Sequence, residues 1–213
     1  MAGQARLTVG ERREQLLDLG LRLFGSKPYD EISIGEIAQM AGMSKGLLYH
    51  YFPSKRDFYV ACVRAAALQL RRLIQPDPSL PPAEQVRRSL SVYLDHVRAN
   101  RDKTQAFVRG GIGCDPEVTE VTEATRRAVW ESLLAGMRAS DDDHLMRLAV
   151  RSWVRFVEVM ALEWADAEDV AKETVIDVCV AVLDTAVGGS RRSPAALATR
   201  AGTWPGPVAP ETG

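Results

Sequence analysis

The sequence predicts an all-α protein with two parts: an N-terminal three-helix domain holding a helix-turn-helix, and a larger helical domain behind it. Three observations predict it. Apolar residues recur at three-and-four spacing along the chain and nowhere alternate as a half-buried strand requires. Helix starts are marked by capping pairs, Thr8 with Glu11 and Ser33 with Glu36. Helix stops are marked by Gly25, Gly42 and Pro53.

The first helix opens at Thr8, shows Leu16, Leu19, Leu23 and Phe24 on one face, and ends at Gly25 before Pro28. The second starts at Ser33, turns Ile34, Ile37 and Ala38 inward and stops at Gly42. Ser44 caps a short third helix over Lys45 to Tyr51, and Pro53 breaks the chain. Ser54 and Asp57 open a fourth, a connector running to about Leu73. The proline-rich stretch Gln75 to Pro82 is a loop, since proline lacks the amide hydrogen a helix needs.

Helix resumes from Ala83 to about Asn100, with a shorter segment from Asp102 to Val108. Gly110, Gly111 and Gly113 should break or bend it. Asp115 followed by Pro116 is a strong start for a helix to about Met137. Two long helices follow. The first carries Leu145, Leu148, Trp153, Phe156 and Met160, the second Val175, Val178, Val182 and Leu183. Their apolar stripes are too wide for one neighbour, so Trp153, Phe156, Val175, Val178, Val182 and Leu183 are expected in the core or in a subunit interface. The domain boundaries read as residues 1–53, 54–189 (with 54–74 the connecting helix) and a low-complexity tail, 190–213, expected to be disordered.

Composition excludes more than it selects. The net charge is -1, with 46% hydrophobic and 26% charged residues. Its distribution is uneven: up to Gln75 there are 11 basic against 7 acidic residues, leaving 16 against 21 for the rest. A basic head on an acidic body suits an anionic partner for the head. Cys62, Cys114 and Cys179 are too far apart for a disulfide framework or metal spacing. No apolar run spans a bilayer and no signal-peptide core is visible, so the expected location is the cytoplasm.

Chemistry concentrates between Ser33 and Tyr51. Ala38 and Ala41 are small where two helices must cross, and Gly42 makes the turn. Such a unit offers its second helix to the major groove. Ser33 and Ser44 stand at helix starts, where amides and a hydroxyl suit phosphate oxygens. Lys45 leads the second helix, Gly46 permits close approach, and Tyr49, His50 and Tyr51 offer donors and flat rings. Lys55 is placed for a phosphate. Asp141, Asp142, Asp143 and His144 are consecutive and point in different directions, so solvated acids at a helix start explain them better than a metal site. No phosphate-binding glycine loop, nucleophile elbow or His-Glu-x-x-His motif occurs, and neither an enzyme nor a cofactor is expected.

The stretch from Ile34 to Lys55, with Ile37-Ala38, Ala41-Gly42, Ser44-Lys45-Gly46, Leu48-Tyr49, Tyr51-Phe52 and Lys55, resembles the DNA-binding signature of the TetR/AcrR family of transcription regulators. The likeness extends over about Glu11 to Ala61. Leu47 departs from it, being apolar where relatives often carry a polar residue, which bears on the bases read. The resemblance implies a homodimer on double-stranded DNA, at a palindromic operator. It implies that Lys45 and Gly46 approach bases while Ser33, Ser44, Tyr49, His50, Tyr51 and Lys55 serve phosphates. It also implies a repressor released by a small effector in the second domain, and a four-helix dimer interface from the last two helices. Tyr93, His96, Phe107, Arg109, Arg127, Trp130, Trp153 and Phe156, with Glu158, are the candidate pocket residues. The expected effector is small and largely apolar, anionic if it answers the arginines. The rival reading is an all-helical ligand-binding or interaction module without sequence-specific DNA binding.

Overall fold

Capping chemistry sets where the helices of the computed structural model begin; it describes residues 8–101, 115–139 and 142–190. Thr8 and Glu11 form a complete capping box at the head of α1, Val9–Phe24. Ser33, Ser44 and Ser54 each accept a backbone N–H at the start of α2 (Ile34–Met40), α3 (Lys45–Tyr51) and α4 (Lys55–Leu73). Prolines at the first helical position open α5, Pro82–Ala99, and α6, Pro116–Gly136. Asp143 caps α7, His144–Ala165, and α8 runs Lys172–Ser190.

These bounds follow the expected ones closely, with two differences. A 3-10 turn at Tyr29–Glu31 stands between α1 and α2, where the sequence offered only a break. At Ser33 the expected capping box is half made. The hydroxyl accepts from the Glu36 amide, while the Glu36 carboxylate goes to Lys27 Nζ at 2.7 Å. An ion pair with a longer partner is the stronger use of that carboxylate. The segment Asp102 to Val108, the glycines 110, 111 and 113, Cys114, Asp141 and the tail 191–213 lie outside the described residues.

Two large cores hold the chain. The head core gathers Leu16, Leu19 and Leu23 from α1, Ile37 from α2, Leu48 from α3 and Phe58 from α4. The body core gathers Leu94, Val150, Trp153, Trp164, Cys179 and Leu183, among others, from α5, α7 and α8. A small third cluster, Val60 and Val63 against Val118, joins α4 to α6.

Helix α4 therefore belongs to both parts. Its first half closes the head, where the α1 backbone comes very near. A Cβ at Gly20 would stand 2.4 Å from Cys62 Sγ and 2.6 Å from Phe58 Cζ, so only glycine fits. Its second half lies over the body. Among the described residues no helix is long and apolar enough to cross a membrane.

Candidate nucleic-acid interface and apolar cavity

The head is a helix-turn-helix built around one buried anchor. Leu48 is fully buried, and Phe52, four residues on, is buried beside it. With those two positions turned inward, helical geometry puts Lys45, Gly46, Tyr49 and His50 on the outer face, and all four are exposed. The turn before α3 needs Gly42, whose φ of 63° lies in the left-handed region.

Each expected contact residue of the head can be placed. Ser33 and Ser44 are exposed and spend an oxygen lone pair on the amides of Glu36 (3.0 Å) and Leu47 (3.2 Å). Their O–H groups remain donors, the role a phosphate oxygen requires. Lys45 lies back along α2: its Cε would be 2.9 Å from a Cβ at Gly35. Tyr51 is half-buried, packed on the head core, with its ring edge-on to His50. Lys55 is half-buried, and its Nζ sits 4.0 Å from the centre of the Tyr29 ring. Tyr29 in turn joins Phe24 and Tyr59 in an aromatic cluster that braces α4.

Beneath α4 lies a cavity of about 970 Å³, walled by α4 to α8. Its walls are mainly apolar: Ala67 and Leu70 from α4, Leu90 from α5, Val129 from α6, Val157 from α7 and Leu183 from α8. Of the expected pocket residues, Tyr93, His96 and Trp153 line it, and so does Glu158. Three do not. Arg127 is exposed on the outer side of α6. Trp130 is covered by Arg147 and Arg151, each 5.5 Å from the ring centre. Phe156 packs against the body core, away from the cavity. Phe107 and Arg109 lie outside the described residues.

The arginine at the wall is Arg126. Its Nε donates to both oxygens of Glu158 at 2.9 Å, and its Nη1 to Glu123 at 2.7 Å. Arg155 closes the set on Glu123 at 3.0 Å. Burial opposes the charge of Arg126, but the carboxylates outweigh it and hold its pKa above the ordinary value. The signal was present in the sequence. Arg126 falls four residues after Thr122 on the stripe Val118, Thr122, Thr125, Val129, so helical spacing turns it inward while Arg127 turns out.

The residues expected in a subunit face divide. Trp153, Val175 and Leu183 are buried in their own chain's core, the first of the two places expected for them. The Trp153 indole even donates to the Cys179 carbonyl of α8 at 2.7 Å. Phe156 is partly buried. Val178 and Val182 are exposed, 40% and 37%, and with Leu145, Leu148 and Val159 they leave apolar surface on α7 and α8.

Head and body are also tied by charge. Arg56, in the first turn of α4, meets Asp115 and Glu117 at the start of α6. Nothing local to either segment signalled this pairing across 59 residues.

Comparison with known proteins agrees with this geometry. Residues 16–62 match the family described as "Bacterial regulatory proteins, tetR family". Residues 82–187 match "Tetracyclin repressor-like, C-terminal domain". A crystal structure of a tetR-family transcriptional regulator from Streptomyces coelicolor superposes with a TM-score of 0.76 at 30% identity, covering 86% of this chain and 83% of that one. The transcriptional activator FasR of Mycolicibacterium smegmatis is 41% identical over 134 residues, 59% of this chain and 60% of that protein. The transcriptional repressor KstR of Rhodococcus jostii is 24% identical over 186 residues, 85% of this chain and 86% of that protein. With two further curated relatives the alignment spans only 27% and 34% of their length.

Proposed function

Since the chain belongs to the TetR family of helix-turn-helix, DNA-binding transcription regulators, we propose that it works as a homodimeric repressor, released from a palindromic operator when a small, largely apolar effector fills the cavity. The supporting observation is that α4 belongs to both sites. Phe58 and Cys62 of α4 sit in the head core, while Ala67 and Leu70 of the same helix roof the cavity.

On this reading two heads, related by two-fold symmetry, place their α3 helices in successive major grooves of half-sites about one helical turn or more apart. Lys45 and Gly46 approach base edges. The hydroxyls of Ser33, Ser44, Tyr49 and Tyr51, with His50 and Lys55, hold the backbone. Lys55 reaches phosphate from its seat on Tyr29, which fixes the ammonium at little further cost in side-chain freedom. An effector under α4 changes that helix's tilt and so the spacing of the heads. It shifts the equilibrium only by its difference in affinity between the two arrangements. The exposed apolar surface of α7 and α8, with Val178 and Val182, is the subunit face of this reading.

Footprinting on the DNA beside the chain's own gene tests the proposal. A protected segment with two-fold symmetry, lost at higher salt as phosphate contacts are screened, is the expected result. No retention of that DNA at low salt would return the chain to the rival reading of a module without sequence-specific DNA binding. The FasR likeness favours a second outcome for the sign of regulation: occupancy that raises transcription of the neighbouring gene, read by a reporter fused to it.

A further inference from the structure

We propose that the effector presents an uncharged oxygen at its buried end, and that the Tyr93 hydroxyl donates the hydrogen bond that recognises it. This rests on the cavity being the effector site and adds the chemical class that the site accepts.

The cavity wall carries the proposal. Tyr93 lines the cavity from α5, and among the described residues no group shares a hydrogen bond with its hydroxyl. That oxygen is not sealed in protein, since no fully buried side-chain oxygen or nitrogen lacks a partner. It faces open cavity. A phenol in an apolar chamber without a partner is an unmet donor, and a ligand oxygen meets it.

The charged groups of the same wall are already matched. Arg126 is engaged by Glu158 and Glu123, and Glu123 also by Arg155, so two cations face two carboxylates. Arg126 keeps 10% and Glu158 13% of its side chain exposed. A carboxylate or phosphate pushed to this depth gives up its water, finds the guanidinium taken, and meets Glu158 as a like charge. The arginines of this wall therefore argue against a buried anion. Arg71 and Arg72, exposed on the last turn of α4, lie along the cavity's outer edge. A charged group there stays in water.

The protonation state fits the role. Burial, then the nearby Glu158 carboxylate, push the Tyr93 phenol above its ordinary value, so it remains a donor throughout the physiological range. The volume, about 970 Å³, suits a whole small molecule of largely apolar surface.

The test uses three probes of one chain length: decan-2-one, decan-1-ol and decanoate. Each is titrated into the full-length protein and followed by tryptophan emission, since Trp153 lines the cavity, with calorimetry as a second readout. The ketone and the alcohol should bind about tenfold or more tighter than decanoate. Tyr93→Phe keeps the ring and removes only the oxygen. It should weaken the ketone about three- to tenfold, the usual worth of one hydrogen bond, and leave decanoate unchanged. Glu158→Gln, which frees part of Arg126, should raise decanoate affinity relative to the ketone. Decanoate binding as tightly as the ketone, a Tyr93→Phe protein indistinguishable from wild type, or no binding of any probe would each overturn the proposal. Retention of operator DNA by the same preparation, measured without probe, reports separately on the regulator reading. Protein that fails to hold DNA but discriminates the probes keeps this proposal. Protein that holds DNA and prefers decanoate loses it.

Discussion

Arg56 grips Asp115 with two parallel hydrogen bonds, Nε to Oδ2 at 2.6 Å and Nη2 to Oδ1 at 2.9 Å, and so fastens the start of α4 to the start of α6. Asp115 has a second duty there, accepting the amides of Glu117 and Val118 as the helix cap. One side chain joins the DNA-facing part to a cavity wall and also ends the orphan amides of that wall's helix.

The two duties separate by mutation. Asp115→Asn keeps a capping oxygen and loses the charge; Asp115→Ala loses both. Thermal melts should rank wild type above Asn and Asn above Ala. The Arg56 hydrogen bonds hold the Asp115 carboxyl below its ordinary 3.8. A group with a lowered folded pKa contributes fully above its unfolded value and loses that contribution as pH falls through the folded one. The gap between wild type and Asn should therefore stay constant from neutrality to about pH 4 and close below it. A gap that widens in acid would contradict the pairing.

Gly35→Ala tests where Lys45 must lie. The new Cβ crowds the far end of the lysine, Cε at 2.9 Å and Nζ at 3.2 Å, which can swing away, and makes an ordinary contact with Ser33 Oγ at 3.6 Å. Alanine also favours helix over glycine by about 0.5–1 kcal/mol. The melting temperature should hold or rise by a degree or two, while the preference for operator over scrambled DNA changes. Unaltered preference, measured by competition gel shift, would remove Lys45 from the base-reading role.

Lys55→Ala should weaken binding to every sequence alike. The slope of log affinity against log salt should fall by about one for each head. Tyr29→Leu, which removes the ring beneath the ammonium, should weaken binding less and leave the slope nearly intact.

Val178→Glu and Val175→Glu should fail differently. Val178 is exposed at 40%, and a charge there should turn a dimer into a monomer in sedimentation equilibrium with helical content retained. Val175 is buried at 3%, and a charge there should unfold the body. A wild-type chain that is already monomeric at micromolar concentration would refute the dimer.

Gly20→Ala should cost about 1–3 kcal/mol through overpacking, each kcal/mol lowering the melt of a domain this size by about 2–4 °C. DNA retention should fall with it, because Phe58 and Cys62 are displaced together.

Helix bounds were legible because they are written locally. Ser44 and Asp115 act on amides within three residues, so spacing alone reveals them, whereas Pro82, read as the end of the loop, opens α5 one residue earlier than expected. The head site was legible for the same reason. Side chains that meet across distance were not. Arg126 was passed over for its neighbour because arginines are seldom buried, although the stripe beginning at Val118 pointed to it. Trp153, Val175 and Leu183 show the limit of a wide apolar stripe. It states that a face is covered, without saying whether by its own chain or another.

The absent side chain at Gly20 has a mechanical consequence. At Gly20 the α1 backbone meets the Cys62 thiol and the Phe58 ring with no side chain of its own between, so the two helices move as one lever. With 19 residues, α4 is about 28 Å long, and a push of about 2 Å at its cavity end turns it by about 4°. At the Gly20 crossing only the tightly packed Cys62 thiol and Phe58 ring are there to absorb that rotation. A small displacement deep in the body therefore becomes a change of aim at the reading surface.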